Sequence, residues 1–209
     1  MKRSKTLAAA ATAAALLFTL TACGDDSPAG NAQAEQTASN GDVFNQADVD
    51  FATAMIPHHS QALVMVDLTR GRSLSPGLES LTEDILAAQS PEIEQMVDWL
   101  TAWDQPVPET MRDHANAEDH GMSGHDMDQS DPAMPGMMTE EQLTELEAAR
   151  GQEFQTMWLQ MMIEHHQGAI EMAKDEQADG VFAPAVKLAR SIETSQQAEI
   201  ETMQGLLDS

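Results

Sequence analysis

Shifted by 107 positions, the chain matches itself in two blocks in the same register. Residues 55–65, MIPHHSQALVM, fall on residues 162–172, MIEHHQGAIEM, and residues 88–100, AQSPEIEQMVDWL, fall on residues 195–207, SQQAEIETMQGLL. Met55, His58, His59, Ala62 and Met65 thus correspond to Met162, His165, His166, Ala169 and Met172. Gln89, Glu92, Ile93, Glu94, Met96 and Leu100 correspond to Gln196, Glu199, Ile200, Glu201, Met203 and Leu207. A long-period match of this kind reads as one supersecondary unit used twice. No segment alternates as a half-buried strand would, so the repeated unit is a helical hairpin.

The expected helices run from about Asp48 to Thr69, ending at Gly71, from Pro76 to Trp103, from Glu140 to Gln177 and from Pro184 to Leu207. Thr139 with Gln142 has the pattern of a capping box, and Pro184 suits a first helical turn. Pro57 and Pro91 fall inside helices and predict a kink or a restart at each. Four helices in two hairpins bury their apolar stripes most simply as an all-α four-helix bundle over residues 43–208, with residues 104–138 as an irregular connection.

The N-terminus has another character. Lys2, Arg3 and Lys5 precede an apolar run from Leu7 to Leu20, the layout of an export signal and too short to span a bilayer comfortably. The run ends in LTAC, similar to the lipobox of bacterial lipoproteins, with the sole cysteine, Cys23, where lipidation requires it. Residues 1–22 are expected to be removed. Lipidated Cys23 would then hold the chain on the outer side of the cell membrane, and residues 23–42 would form a flexible tether. Loss of the signal leaves seven basic residues against 35 acidic ones, a net charge of −28. Nucleic acid is therefore excluded as a partner; most of the carboxylates need no explanation beyond a solvated surface.

At about 100° per residue, Trp158, Met162, His165, His166, Ala169 and Met172 share one helix face, and Phe51, Met55, His58, His59, Ala62 and Met65 share the equivalent face. Glu164, Gln167 and Glu171 point elsewhere. The same arc must face the core, so four imidazoles are expected inside, where an unpaired polar group costs about 1–3 kcal/mol. Candidate partners are Gln89, Glu92, Glu94, Gln196, Glu199 and Glu201 on the second helices, or a metal ion; Met96 and Met203 add thioethers. Methionine at helical spacing is ordinarily core filler. The paired histidines flanked by methionine in both copies are what point to ligation.

The connection supplies a second set. His114, His120, His125, Met122 and Met127, followed by Met134, Met137 and Met138, lie among Gly, Pro, Asp and Ser. A loop has no core for methionine to fill, which leaves soft ligation as its role. Thioether sulfur suits Cu(I) and its mimic Ag(I), and imidazole serves Cu(I) and Cu(II). Zinc would favour cysteine, histidine and carboxylate in a closed tetrahedron. Copper is accordingly the expected metal.

The repeated M-I-x-H-H-x-x-A-[LI]-x-M, the later Q-x-x-E-I-x-x-M, and the segment from PGMMTEEQ to EHHQGAIEMA together resemble the Domain of Unknown Function 305 family over about residues 43–208. The resemblance implies a ferritin-like four-helix bundle, with copper and silver bound by some exported members. It also implies ligands at Met55, His58, His59 and Met65, and at Met162, His165, His166 and Met172. The copies differ at Pro57 against Glu164 and at Ser60-Gln61 against Gln167-Gly168, which leaves the first site's geometry the more open. The leading expectation is a non-catalytic copper carrier or buffer. A carboxylate-bridged di-iron oxidase is the enzymatic alternative, but it needs Glu-x-x-His, and Met55 and Met162 stand where those glutamates would be. A third reading is an interaction module that docks a copper exporter or oxidase.

Overall fold

The structure, a computed structural model, describes residues 34–110 and 134–209. In chain order it contains β1 (Gln36–Thr37), β2 (Val43–Phe44), α1 (Gln46–Asp67), α2 (Pro76–Ala102), α3 (Glu140–Ala148), α4 (Gly151–Asp179) and α5 (Ala183–Leu207). The architecture is helical. α1 packs on α2 and α4 on α5, with α1 against α4 and α2 against α5 joining the two pairs. Among the described residues, no helix is long and apolar enough to cross a membrane.

Local sequence explains the helix starts. Asn45 caps α1, its side chain accepting the Asp48 N–H at 3.1 Å while Asp48 accepts the Asn45 N–H at 2.7 Å. Ser75 caps α2 ahead of Pro76, and the Thr139–Gln142 box opens α3 as expected. Pro57 and Pro91 cause no restart: α1 and α2 run unbroken through them. Each proline frees the carbonyl one turn earlier, at Thr53 and Ala87, and both of those residues are exposed, so water can take the orphaned acceptor.

The third expected helix is two. α3 ends at Ala148, Ala149 turns to extended backbone, and Gly151 opens α4 with φ +56°. Two arginines meet the carbonyls left at the end of α3: Arg150 donates to Glu147, Ala148 and Ala149, and Arg72 donates to Glu147 and Ala149 at 2.8 Å each. The Arg72 guanidinium also lies 3.9 Å over the Phe154 ring.

The stretch expected to be a tether is built in at its end. β1 and β2 form a small antiparallel hairpin with Gln36 opposite Phe44 and Thr37 opposite Val43. Two residues per strand are too few for alternation to show in sequence. Phe44 stacks on Trp103 at 4.5 Å, Trp103 Nε1 donates to Asp42 at 3.3 Å, and Phe182 stands edge-on to Trp99 and Trp103.

Candidate metal centre

α1 and α4 bring both histidine pairs into the interior, where His58, His59, His165 and His166 are all 0% exposed. The pairs meet: the rings of His58 and His165 lie 3.8 Å apart between centroids, with His166 6.3 Å from His165. One histidine cluster spans the two halves. Glu164, Gln167 and Glu171 point outward as their helix positions require.

The second helices supply matched partners. His59 Nε2 donates to Glu92 at 2.7 Å, and His166 Nε2 donates to Glu199 at 2.6 Å. Of the other candidates, Glu94 and Glu201 face solvent. Gln89 and Gln196 are buried one turn before Glu92 and Glu199 but bond to no histidine; both amide ends of Gln89 and the Gln196 oxygen lack partners. His58 Nε2 donates to the Pro135 carbonyl at 3.0 Å. Nδ1 of all four histidines and Nε2 of His165 are buried without a hydrogen-bond partner. The His58 carbonyl lies near His165 and favours a proton on it, without completing a hydrogen bond.

Burial favours the neutral form of three of these rings, His58, His165 and His166. Desolvation, reinforced by His59, pushes His58 down to about 3, the Pro135 carbonyl only partly opposing it. Desolvation and then the neighbouring histidines hold His165 well below its ordinary range. His166 is lowered by the same desolvation against the opposing pull of Glu199. Neutral imidazole is the form that ligates a metal.

The methionines regroup across the copies. Met65, Met162 and Met203 are fully buried in one apolar cluster with Leu78, Ile85 and Trp158. Met55 and Met96 are fully buried in the other, with the partly buried Met172 packed against it. Each cluster therefore mixes the two sequence motifs, whereas the motif-by-motif reading placed Met55 with Met65 and Met162 with Met172; the first also holds Met161 and Met138, so at its end the connection does give a methionine to the core.

The end of the connection lies across the cluster, a feature that spacing alone did not reveal. Gln61 clamps Met138 through two hydrogen bonds, donating to its carbonyl at 2.8 Å and accepting its N–H at 2.7 Å. Gly136, at φ +75°, lies so close to α4 that an added Cβ would meet the Glu164 and His165 carbonyls. A Cβ on Gly168 would overlap the Pro135 carbonyl. Gln61 and Gly168 occupy equivalent positions of the two copies, one of the places where those copies differ. The asymmetry serves a single strap, residues 134–138. The sequence signal was a glycine in a helix interior, where it costs about 1 kcal/mol without a packing reason.

Burial of so many unpartnered lone pairs beside thioethers fits a soft, weakly hydrated cation. Among the described residues, no group of three or more His, Cys, Asp or Glu side chains is arranged to hold a metal, so a site here would have to mix nitrogen with sulfur. Cys23, His114, His120, Met122, His125 and Met127 lie outside the described residues.

A second buried polar cluster lies where α1 meets the α4–α5 turn. Asp48 accepts the N–H groups of Asn45, Val181 and Phe182. Glu176 is buried nearby, and neither of its carboxyl oxygens has a hydrogen-bond partner. Desolvation first, then the neighbouring Asp48, pushes Glu176 up to about 9, which favours its protonated form.

Fold and site together define a class: small helical proteins with histidines and methionines enclosed between two helical pairs. The chain belongs to the family described as Domain of unknown function (DUF305), whose model matches residues 48–207. It is similar to a secreted DUF305 protein from Streptomyces coelicolor, with 31% identity over 78% of this chain and 92% of that one and a TM-score of 0.64. A DUF305 fragment from Deinococcus radiodurans matches at 29% identity over 83% and 99%, also with a TM-score of 0.64. CopM in its Cu(II)-bound form matches at 30% identity over 77% and 95%, TM-score 0.59, and CopM also has Cu(I)-bound and Ag-bound structures. None of the curated proteins matches the chain.

Proposed function

We propose that the protein is a copper-binding protein of the extracytoplasmic face, taking up Cu(I), with Ag(I) as a mimic and Cu(II) as a second form, for buffering, resistance or delivery. The observation that carries this is the set of buried, unpartnered imidazole nitrogens on helices whose flanking motif methionines are packed into both apolar clusters. Neutral rings and uncharged thioethers accept a soft cation without first releasing a proton from a thiol. The likeness to CopM, bound to copper and silver, supports the same chemistry. The four long helices are read as a ferritin-like four-helix bundle. Cys23 is proposed as the lipid anchor, and His114, His120, Met122, His125 and Met127 as an outer capture segment feeding the interior or docking a copper exporter or oxidase.

No catalysis is invoked. A di-iron oxidase needs bridging carboxylates, and here Glu92 and Glu199 are each engaged by one histidine nitrogen. The test is Cu(I) titration against a competing chelator. Changing Met55, Met65, Met96, Met162, Met172 and Met203 to leucine conserves core volume and should weaken binding at least tenfold with helicity retained. Wild-type affinity in a folded variant with His58, His59, His165 and His166 changed to alanine would refute the reading.

A further inference from the structure

A neutral imidazole has one N–H and one lone pair, and its partners decide which nitrogen carries which. The Pro135 oxygen that faces His58 Nε2 at 3.0 Å is a carbonyl and can only accept, so Nε2 bears the hydrogen. The carboxylates of Glu92 and Glu199 impose the same choice on His59 and His166, at 2.7 and 2.6 Å. In each of these rings the remaining nitrogen, Nδ1, is buried and has no partner. A core that satisfied its histidines for packing alone would not leave the same atom bare in three rings while saturating the other.

We propose that Glu92, Glu199 and the Pro135 carbonyl are positioning groups that hold His59, His166 and His58 as Nε2–H tautomers, so that Nδ1 is the donor atom each ring offers to a soft monovalent cation. This rests on the copper reading and goes further by naming the donor atoms and the residues that select them. The two glutamates also enrich the electron density of the rings they touch, since an N–H given to a carboxylate makes the opposite nitrogen a better base. Their matched placement, 33 residues after the histidine in each copy, makes tautomer selection a property of both halves. His58 has no such carboxylate and takes its acceptor from the strap, which Gly168 admits. His165 has neither, only the nearby His58 carbonyl short of a completed hydrogen bond.

The experiment is nitrogen-15 NMR of the histidine rings in the labelled protein, before and after loading with Ag(I). Protonated and lone-pair nitrogens resonate far apart, and silver, a spin-one-half nucleus, splits the nitrogen it binds. The expected result is Nε2–H in His58, His59 and His166 without metal, and silver splitting at Nδ1 with metal. Glu92→Gln with Glu199→Gln keeps an accepting oxygen and should preserve the pattern. Glu92→Leu with Glu199→Leu should mix the tautomers of His59 and His166 and weaken silver binding about 10–100-fold. Nδ1–H rings in the metal-free protein, splitting at Nε2, or leucine variants with unchanged tautomers would each overturn the proposal. Nε2–H rings that show no splitting at any silver concentration would instead overturn the copper reading, and the donor assignment with it.

Discussion

Replacing Gly168 by alanine should destabilise the protein although it improves the helix. On intrinsic propensity alone the change favours folding by about 1 kcal/mol. In the structure, however, the new methyl overlaps the Pro135 carbonyl, with the Pro135 carbon and the Gly136 nitrogen directly behind it, so the obstacle is backbone rather than a side chain that could swing away. The strap has to withdraw by on the order of 1 Å, enough to lose close contact. Withdrawal breaks the His58–Pro135 hydrogen bond and strains both bonds between Gln61 and Met138. Three hydrogen bonds, two buried and one partly buried, at about 1 kcal/mol each, with part of the roughly 1.5–3 kcal/mol from burying Met138, outweigh the propensity gain. The expected net loss is about 2–4 kcal/mol. Gly205→Ala is the control: it lies in α5 with nothing within 4 Å of its added methyl, and should stabilise by about 0.5 kcal/mol. Urea denaturation of the three proteins, followed by circular dichroism, measures both differences. Equal or greater stability of Gly168→Ala would refute the idea that the strap is seated on the histidine cluster.

Other outcomes follow from the buried charges. Glu176 is protonated in the folded chain and ionised in the unfolded one between its ordinary 4.5 and about 9, so the unfolded state binds fewer protons and stability falls as pH rises across that window. Glu176→Gln should remove this slope, gaining about 1–2 kcal/mol on the wild type between pH 6 and 8 in urea melts; parallel pH curves would contradict it. The histidines act with the opposite sign. Held below 6.5 by burial, His58, His165 and His166 stay neutral when the unfolded chain takes up protons, so the metal-free protein loses stability as pH falls from about 6.5 toward 3. Thermal melts that stay flat over that range would exclude neutral rings. Arg72→Lys should cost about 2 kcal/mol, because an ammonium cannot reproduce the fork onto Glu147 and Ala149 or the stacking on Phe154; a melting temperature equal to wild type would contradict that assignment.

Periodicity carried the fold a long way because the strongest signals were local. Which residues turn inward on α1 and α4, the Thr139–Gln142 cap and the glutamates that could meet buried imidazole were all readable from spacing. What was not readable depends on contacts far apart in sequence. The break at Ala149 is held by its neighbour Arg150 together with Arg72, more than seventy residues away, and Gln61 with Met138 is as distant a pair. The β1–β2 hairpin owes its place to Trp103 rather than to strand propensity. Of the kink or restart that Pro57 and Pro91 predicted, the restart is absent, since each helix continues and the carbonyl each proline frees belongs to an exposed residue. Glu176 gave no sign at all, because a glutamate between lysine, aspartate and glutamine reads as surface until the chain turn at Gly180 closes over it.

The regrouping of the methionines follows from topology. Within one copy, the first methionine of the motif precedes its histidines and the second follows them, so they diverge along a single helix in opposite directions from the rings. Met65, late in α1, shares its apolar cluster with Met162, early in α4, while Met55, early in α1, shares the other with Met172, late in α4. The two helices therefore meet head to tail. Met96 and Met203 follow their helices into the same arrangement, one to each side. Neither copy folded alone would join Met65 to Met162 or Met55 to Met172, nor would it bring two histidine pairs into contact. A set of mixed nitrogen and sulfur donors arises only when the second copy packs on the first, which is the physical reason the paired motif, rather than a single one, is the unit that can hold a soft ion.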